Sequence, residues 1–495
     1  MECLTNWKNF YARLYASKSV FASQHPRVYD DTLDKPFTYE ELVLVIASLV
    51  EHKSHGADYI SANDMTILIH IDPEDPSFAD ENRFLIKYIL SVINTFWDKE
   101  KAILIPILKN IDCDTTNPTN YRPISLLNTL MKLYEGLIKK RLVNKLETLR
   151  LLTPIQAAYR KGRSTCDHLL ILQELFLKHR FSKGAQKTPL YLYFMDLAKA
   201  FDTVPRKILF RKLRKLGIKG KMLRVISDLY TRNIARVQVG NYLSPNFEIN
   251  KGVMQGSKLG PILFLIFIND LLNELHTSRL GAQIAYHIIS GLGFADDIVL
   301  ISDVPGNLQK LINICDNWAH KNQMSFNLDK CNVMVFNVNS LGLRFHIRNE
   351  TLKVVSLYKY LGILLSSGAR QKTLYKEHFA KILEKALARL HCIRHLGFHK
   401  HGLRPHTAIR MYKALVRPIL EYGAQALSYK KYFLNSSREP ADLNVVTFFT
   451  KDLENFQTRA LKILLNCPRN VSPALLRILT GVEPMACRLD IPKLR

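Results

Sequence analysis

Gly291-Leu292-Gly293-Phe294-Ala295-Asp296-Asp297-Ile298-Val299-Leu300 sets two carboxylates side by side at the head of an apolar run. Just upstream, Ala285-Tyr286-His287-Ile288-Ile289 is a second β-prone run, and Ser290-Gly291 between them reads as a hairpin connection. A buried strand has no ordinary use for adjacent aspartates, because an unpaired buried carboxylate costs several kcal/mol. At a hairpin tip both side chains could approach one cation. Taken alone, the segment reads equally well as a solvated Asp-Asp turn.

A second stretch repeats the pattern. Tyr191-Leu192-Tyr193-Phe194-Met195-Asp196 is an aromatic and aliphatic strand running into an aspartate, and Leu197-Ala198-Lys199-Ala200-Phe201-Asp202 then turns toward a helix. Two strands that each deliver a carboxylate at one end suit a pair of hard divalent ions, which prefer oxygen ligands. In two-metal phosphoryl transfer such ions sit roughly 3.5–4 Å apart and stabilise both the attacking and the leaving oxygen. Asp196, Asp296 and Asp297 are the candidate ligands.

Phe194-x-Asp196-x-x-Lys199-Ala200-Phe201-Asp202 followed by Phe294-Ala295-Asp296-Asp297 resembles motifs A and C of a reverse transcriptase. The Lys-Ala-Phe-Asp form resembles the non-LTR (LINE-type, Jockey-like) retrotransposon family. The resemblance implies an α+β right-hand polymerase fold with fingers, a βαββαβ-type palm and a helical thumb. It also implies Mg²⁺ as the metal, two ions with Mn²⁺ as a substitute, and an RNA template, a DNA primer and deoxynucleoside triphosphates as partners.

Composition agrees with a polyanion as partner. Lys and Arg outnumber Asp and Glu by 70 to 43 over 495 residues, a net charge of +27. A chain of this length, 47% apolar, can bury more than one core. Its eight cysteines form no Cys-x-x-Cys pair, which argues against a zinc ribbon or disulfide scaffold and fits reduced thiols inside a cell. Met1-Glu2-Cys3-Leu4-Thr5 opens no signal peptide, and Ile262–Ile268 is too short an apolar run to span a bilayer, so no membrane partner is expected. The resemblance implies an intracellular ribonucleoprotein, in nucleus and cytoplasm.

The remaining motifs follow in chain order. Thr38-x-x-Glu41 is a capping box ahead of a helix through Val50, and Lys53-x-x-Gly56-x-Asp58 resembles the segment before the fingers. Ile103–Leu108 and Tyr121–Leu127 read as two β-runs joined by a polar loop, which brings Lys109 and Arg122 together at one tip. There they would grip a nucleotide triphosphate, arginine being suited to bidentate phosphate contact. A helix is expected from Asn128 to about Leu149. Beyond it, Arg160-Lys161-Gly162-Arg163 forms a cationic loop that could lie on template backbone, with Ala158 and Tyr159 where the family commonly has Gly and Phe.

By the resemblance, Phe201 lies under the sugar and rejects a 2′-hydroxyl, beside Lys199 and Ala200 in the nucleotide site. A core Phe at a helix start is the plainer alternative. The helix Pro205–Leu216 is expected to carry Arg206, Lys207, Arg211, Lys212 and Lys215 on one basic side. Gly252-Val253-Met254-Gln255-Gly256-Ser257 resembles motif B, in which Gln255 and Gly256 lie against the nucleotide; Met254 and Lys258 depart from the usual residues. Asn327-x-x-Lys330 resembles motif D, implying that Lys330 protonates departing pyrophosphate. Tyr360-Leu361-Gly362 resembles the primer grip, which orients the attacking end. From Arg370 to Arg417, 12 Lys and Arg face 2 acids, as expected of a helical thumb resting on a duplex. The expected layout is an N-terminal helical extension (1–88), fingers (89–188), palm (189–365), thumb (366–430) and a C-terminal helical region (431–495). The function implied is RNA-directed DNA polymerase; a decayed remnant that only binds nucleic acid is the alternative.

Overall fold

The computed structural model describes residues 2–16, 33–49, 102–109, 114–126, 129–180, 188–231, 233–338, 342–367, 375–396, 404–423 and 444–485, with a few isolated positions besides. The Lys53–Asp58 loop and most of the segment between 431 and 443 lie outside them. The chain forms two compact units, each assembled from separate stretches. Met1–Tyr159, Leu197–Thr277 and Ile314–Asn327 make the first; Arg160–Asp196, Ser278–Asn313 and Leu328–Arg495 make the second.

In the first unit, strand Ala102–Leu108 pairs antiparallel with Tyr121–Leu126 and parallel with Asn233–Val239. Two prolines, Pro106 and Pro123, face each other in the first of these ladders. The Lys109 N–H donates to the Asn120 carbonyl at 2.9 Å, so hydrogen-bonded pairs alternate from there and the prolines fall where neither owes the other a donor. Pro106 leaves its other side without an N–H, and the parallel pairing does end at Leu104. The N-terminal helix Glu2–Tyr15 packs on this sheet through Trp7, Tyr11 and Tyr15, a stripe at four-residue spacing, against Ala235, Val237, Phe247 and Ile249. The capping box is formed as read: Glu41 N–H donates to Thr38 Oγ1 at 3.2 Å and Thr38 N–H to Glu41 Oε2 at 3.0 Å. That helix closes at Ala47, and the one expected from Asn128 spans Thr129–Thr148.

One expectation here fails. In helix Arg206–Lys215 the cations do not share a solvated side, because Arg206 and Lys212 are buried. The Arg206 guanidinium donates to the carbonyls of Gly252, Tyr230 and Ile249, and Lys212 Nζ to the Phe267 carbonyl and Asp270. Two long basic side chains are held in a crowded interior because each donates to backbone carbonyls there.

The second unit is built on a five-stranded sheet. Its order is Lys353–Val354, Asn332–Phe336, Leu190–Met195, Asp297–Ser302, Gly291–Phe294. Leaving out the short Lys353–Val354 strand, the four main strands are antiparallel and run 4-1-3-2 in chain order, the βαββαβ pattern expected of the palm. Every residue of Leu190–Met195 is buried. Helix Lys376–His395 lays Phe379, Ile382, Ala386, Leu390 and Ile393 into the same core, with Leu383 and Leu387 partly buried against it. Among the described residues no helix is long and apolar enough to cross a membrane.

Candidate active site

The sheet of the second unit explains how two acids far apart in sequence meet. Met195 pairs with Ile298 in antiparallel register. Asp196 is the next residue after Met195 and Asp297 the one before Ile298, so the two end neighbouring strands side by side. Phe294 pairs with Asp297, which leaves Ala295-Asp296 as a two-residue turn with Ala295 in the left-handed region at φ 57°.

The turn is therefore not at Ser290-Gly291, as the sequence suggested. Gly291 begins a buried strand, and a separate hairpin upstream pairs Ala282–Ile284 with His287–Ile289 around Ala285-Tyr286. The acid pair itself supplies the bend, since a short polar side chain is at home in a tight turn and Ile298 onward is needed for the core.

Neighbouring groups fix the end of the central strand. The Asp196 N–H donates to Cys331 Sγ at 3.4 Å, and Lys330 Nζ lies 3.9 Å from Asp196 Oδ2. The Tyr358 ring stacks on Phe194 with centroids 3.9 Å apart, and its hydroxyl donates to the Lys330 carbonyl. Burial, and then the negative charges of Asp196 and Asp297, push the Tyr358 phenol well above its ordinary value. Both carboxylates thus act on one ring. Their hard oxygens are the right donors for Mg²⁺. Yet among the described residues no three His, Cys, Asp or Glu side chains are gathered as a ready metal cluster. The donor chemistry and strand register fit the ion.

Tyr360-Leu361-Gly362 lies on a hairpin in which Tyr360 pairs with Ile363 across Leu361-Gly362, both at positive φ (44° and 83°). Tyr360 is a core residue at 3% exposure, its hydroxyl 3.1 Å from His168 Nδ1. The Tyr422 hydroxyl donates to the Leu361 carbonyl at 2.8 Å and braces the turn. Lys161 and Arg163 are exposed, Arg160 is half-buried, and Gly162 turns the loop at φ 72°.

In the first unit the register sets Ile107 opposite Arg122, so Lys109 and Arg122 emerge on one face of the ladder. Lys109 Nζ donates to the Thr119 carbonyl at 2.7 Å. Lys199 is left-handed at φ 49°, with its Nζ 4.5 Å above the Phe10 ring; burial lowers its pKa. Ala200 is buried, and Phe201 is half-buried and stacks on Phe264 with centroids 4.4 Å apart.

The Gln255-Gly256 turn is clamped by backbone. The Ser125 N–H on the outer edge of the Tyr121–Leu126 strand donates to the Gln255 carbonyl at 2.7 Å, and a Cβ at Gly256 (φ 107°) would lie 2.5 Å from the Ser125 oxygen. The Gly252 N–H donates to the Val204 carbonyl and the Val253 N–H to the Phe201 carbonyl, both at 2.8 Å. Beneath the turn, Glu135 accepts from Ser257 Oγ at 2.8 and 2.9 Å and from the Lys258 N–H at 2.7 Å; burial pushes its carboxyl up to about 7.

Sequence reasoning missed Glu135 and Tyr15, and read Asp202 as able to cap the next helix as easily as to help at the site. Glu135 carried one signal, an acid between Tyr134 and Gly136 in an otherwise apolar stripe. Tyr15 and Asp202, 187 residues apart, carried none.

The sheet of four main antiparallel strands in the second unit is that of a nucleic-acid polymerase palm. Residues 107–365 match the reverse transcriptase (RNA-dependent DNA polymerase) family, and the chain belongs to that family. It is 28% identical over 347 residues to a Pol polyprotein from the retrotransposable element R2 of Popillia japonica, covering 67% of this chain and 45% of the relative. It is 27% identical to a probable RNA-directed DNA polymerase from transposon BS of Drosophila melanogaster (80% of this chain, 44% of the relative). It is 25% identical to the RNA-directed DNA polymerase from mobile element jockey of the same fly (81% and 43%). The chain thus spans less than half the length of these relatives. A solved telomerase from Candida albicans, in complex with a TWJ fragment of telomeric RNA, aligns at 13% identity and a TM-score of 0.40 over 79% of this chain and 64% of that one.

Proposed function

We propose that the chain is an RNA-directed DNA polymerase of a non-LTR retrotransposon, adding deoxynucleotides to a primer 3′-OH. The observation that carries this reading is the Met195–Ile298 register, which ends two palm strands in Asp196 and Asp297 within a family of reverse transcriptases. Asp196, Asp296 and Asp297 would hold the divalent ions, Mg²⁺ by preference. When bound, the ions supply charge stabilisation to the attacking and leaving oxygens.

The chain's own residues do the rest. Lys330, beside Asp196, would give a proton to departing pyrophosphate. Lys109 and Arg122 would hold the triphosphate, and Gln255, Gly256 and Ala200 the nucleotide body, with Phe201 under the sugar. Leu361 and Gly362 would seat the primer end, while Arg160, Lys161 and Arg163 take template phosphates. The +27 net charge supports a nucleic-acid partner, and the working form would be an intracellular ribonucleoprotein.

Primer extension on a homopolymer RNA template with Mg²⁺ tests the reading. Template-dependent dNTP incorporation is expected. Duplex binding with no incorporation under any divalent ion would instead mark a nucleic-acid-binding remnant.

A further inference from the structure

Asp202 is buried at 4% exposure on the short helix Ala200–Thr203, with two groups closing on its carboxylate. Tyr15 on the N-terminal helix donates its hydroxyl to Oδ1 at 3.1 Å, and Gln255 donates Nε2 to Oδ1 and Oδ2 at 3.0 and 3.1 Å. An ionised carboxylate only accepts, so the end of the Gln255 amide that faces it must be the NH₂. Gln255 Oε1 is thereby turned away from the acid, and it meets no donor among the described residues.

The surrounding backbone leaves the amide little other freedom. The Gln255 carbonyl is held by Ser125, and the residues before it are zipped to Phe201 and Val204. Gly252, at φ 84°, packs so closely on Asp202 that a Cβ would lie 2.5 Å from the Asp202 carbonyl oxygen. Tyr15 is seated by the aromatic stripe of its helix, and its carbonyl accepts from the Asn250 N–H at 3.1 Å. Rotation of the Gln255 amide is the one choice left open, and Asp202 makes it.

We propose that Asp202, held by Tyr15, fixes the Gln255 amide so that its carbonyl oxygen is offered to a hydrogen-bond donor on the incoming nucleotide. The inference rests on the polymerase reading above and deepens it. Asp202 and Tyr15 are positioning residues, and the N-terminal helix becomes part of the nucleotide site. An acceptor locked in place selects for a donor because the mismatched ligand would leave buried polar groups unpaired.

The test is equilibrium binding of a dNTP to the full chain on an RNA–DNA primer–template whose primer ends in a dideoxynucleotide, so that no turnover occurs. Asp202→Asn gives the 202 side chain both a donor and an acceptor, and frees Gln255 to flip. It should weaken dNTP binding by up to about tenfold, the loss of one hydrogen bond. Tyr15→Phe should weaken it by roughly threefold. Gln255→Ala should weaken it at least as much as Asp202→Asn, and the double variant no further than Gln255→Ala alone, because the two act as one unit. Duplex affinity should not move, and in extension assays KM for dNTP should rise while kcat changes little. A merely structural role would lower the melting temperature and leave KM in place.

Wild-type dNTP affinity in both Asp202→Asn and Tyr15→Phe, or penalties that simply add, would overturn the proposal. A chain that extends primers but shows either result keeps the polymerase reading and loses this one. A wild-type chain that binds no dNTP loses both.

Discussion

Two acids of the first unit and three of the second sit in opposite surroundings. In the first, Asp202 and Glu135 are buried, their hydrogen-bond donors are hydroxyls and N–H groups, and burial pushes them up to about 6 and about 7. In the second, Asp297 is exposed and Asp196 and Asp296 are half-buried at the open end of a sheet, with a lysine 3.9 Å from Asp196. A group that positions another side chain gains from being immobile, so its partners are permanent. A group that must take up and release ions cannot be sealed in, so its final partners arrive with the substrate. On burial alone the contrast separates the carboxylates proposed to position other groups from those proposed to bind ions.

The strongest test of that division removes one acid from each class. Asp297→Ala should lower primer extension by on the order of a thousandfold or more, the scale of deleting a group that stabilises transition-state charge. Duplex binding should survive. Set beside Asp202→Asn, whose loss falls on nucleotide KM, it should show a rate defect and no KM defect. Primer-extension kinetics on both variants decide; extension by Asp297→Ala at the wild-type rate would remove Asp297 from the ligand class.

Glycines offer the next contrast. Gly256 in the first unit and Gly162 in the second both have positive φ, but a Cβ at Gly256 would lie 2.5 Å from the Ser125 carbonyl, whereas nothing lies within 4 Å of one at Gly162. Gly256→Ala should cost about 3 kcal/mol or more, strain plus a displaced strand edge; Gly162→Ala should cost about 1 kcal/mol, strain alone. Thermal melts of the two variants measure the gap, and equal losses would mean that the Gln255 turn is not clamped by the Ser125 edge.

A smaller effect is expected from the exposed loop. Replacing Arg160, Lys161 and Arg163 by Gln should reduce the slope of log affinity against log salt by about 2–3, with affinity for duplex weakened roughly tenfold near physiological salt. Melting temperature should hardly change. A salt slope equal to wild type would remove the loop from the template path.

How much of this could be read in advance follows the same division. Asp196, Asp296 and Asp297 stand out because apolar strands run into or out of them, and strand periodicity survives in sequence. The capping box at Thr38 and the Lys109–Arg122 hairpin were legible for the same local reason. Local reading failed where side chains answered distant backbone. Arg206 and Lys212 looked like a solvated basic side, yet both serve carbonyls up to 55 residues away. Tyr360 is expected by resemblance to hold a primer end; its ring packs in the core beside Phe194, with centroids 5.4 Å apart. The turn read at the acid pair forms at Ala295-Asp296, but the connection read at Ser290-Gly291 does not form; the upstream hairpin turns at Ala285-Tyr286 instead.

The smallest expected effect concerns Glu135, and it tests whether a positioning carboxylate is costly to keep ionised. Burial raises its carboxyl to about 7, against the hydrogen bonds from Ser257 and the Lys258 N–H and the Lys258 charge, all of which lower it; Tyr230 is the other titratable group it acts on. A folded pKa above the unfolded value of about 4.3 means that the folded chain holds the proton more tightly. The stabilisation from this group is therefore complete below about pH 4.3 and is lost as pH rises through about 7. Glu135→Gln mimics the protonated acid in shape and charge. At pH 5 the variant should match wild type or fall slightly below it, for want of a second accepting oxygen. At pH 8 it should gain on wild type by about a few degrees in Tm, since only wild type then carries a buried charge. Melting curves of both proteins from pH 5 to 8 give the difference directly. A difference that stays flat across that range would mean that Ser257 and Lys258 stabilise the ionised form fully, and that burial costs the first unit's acids no more than exposure costs the second's.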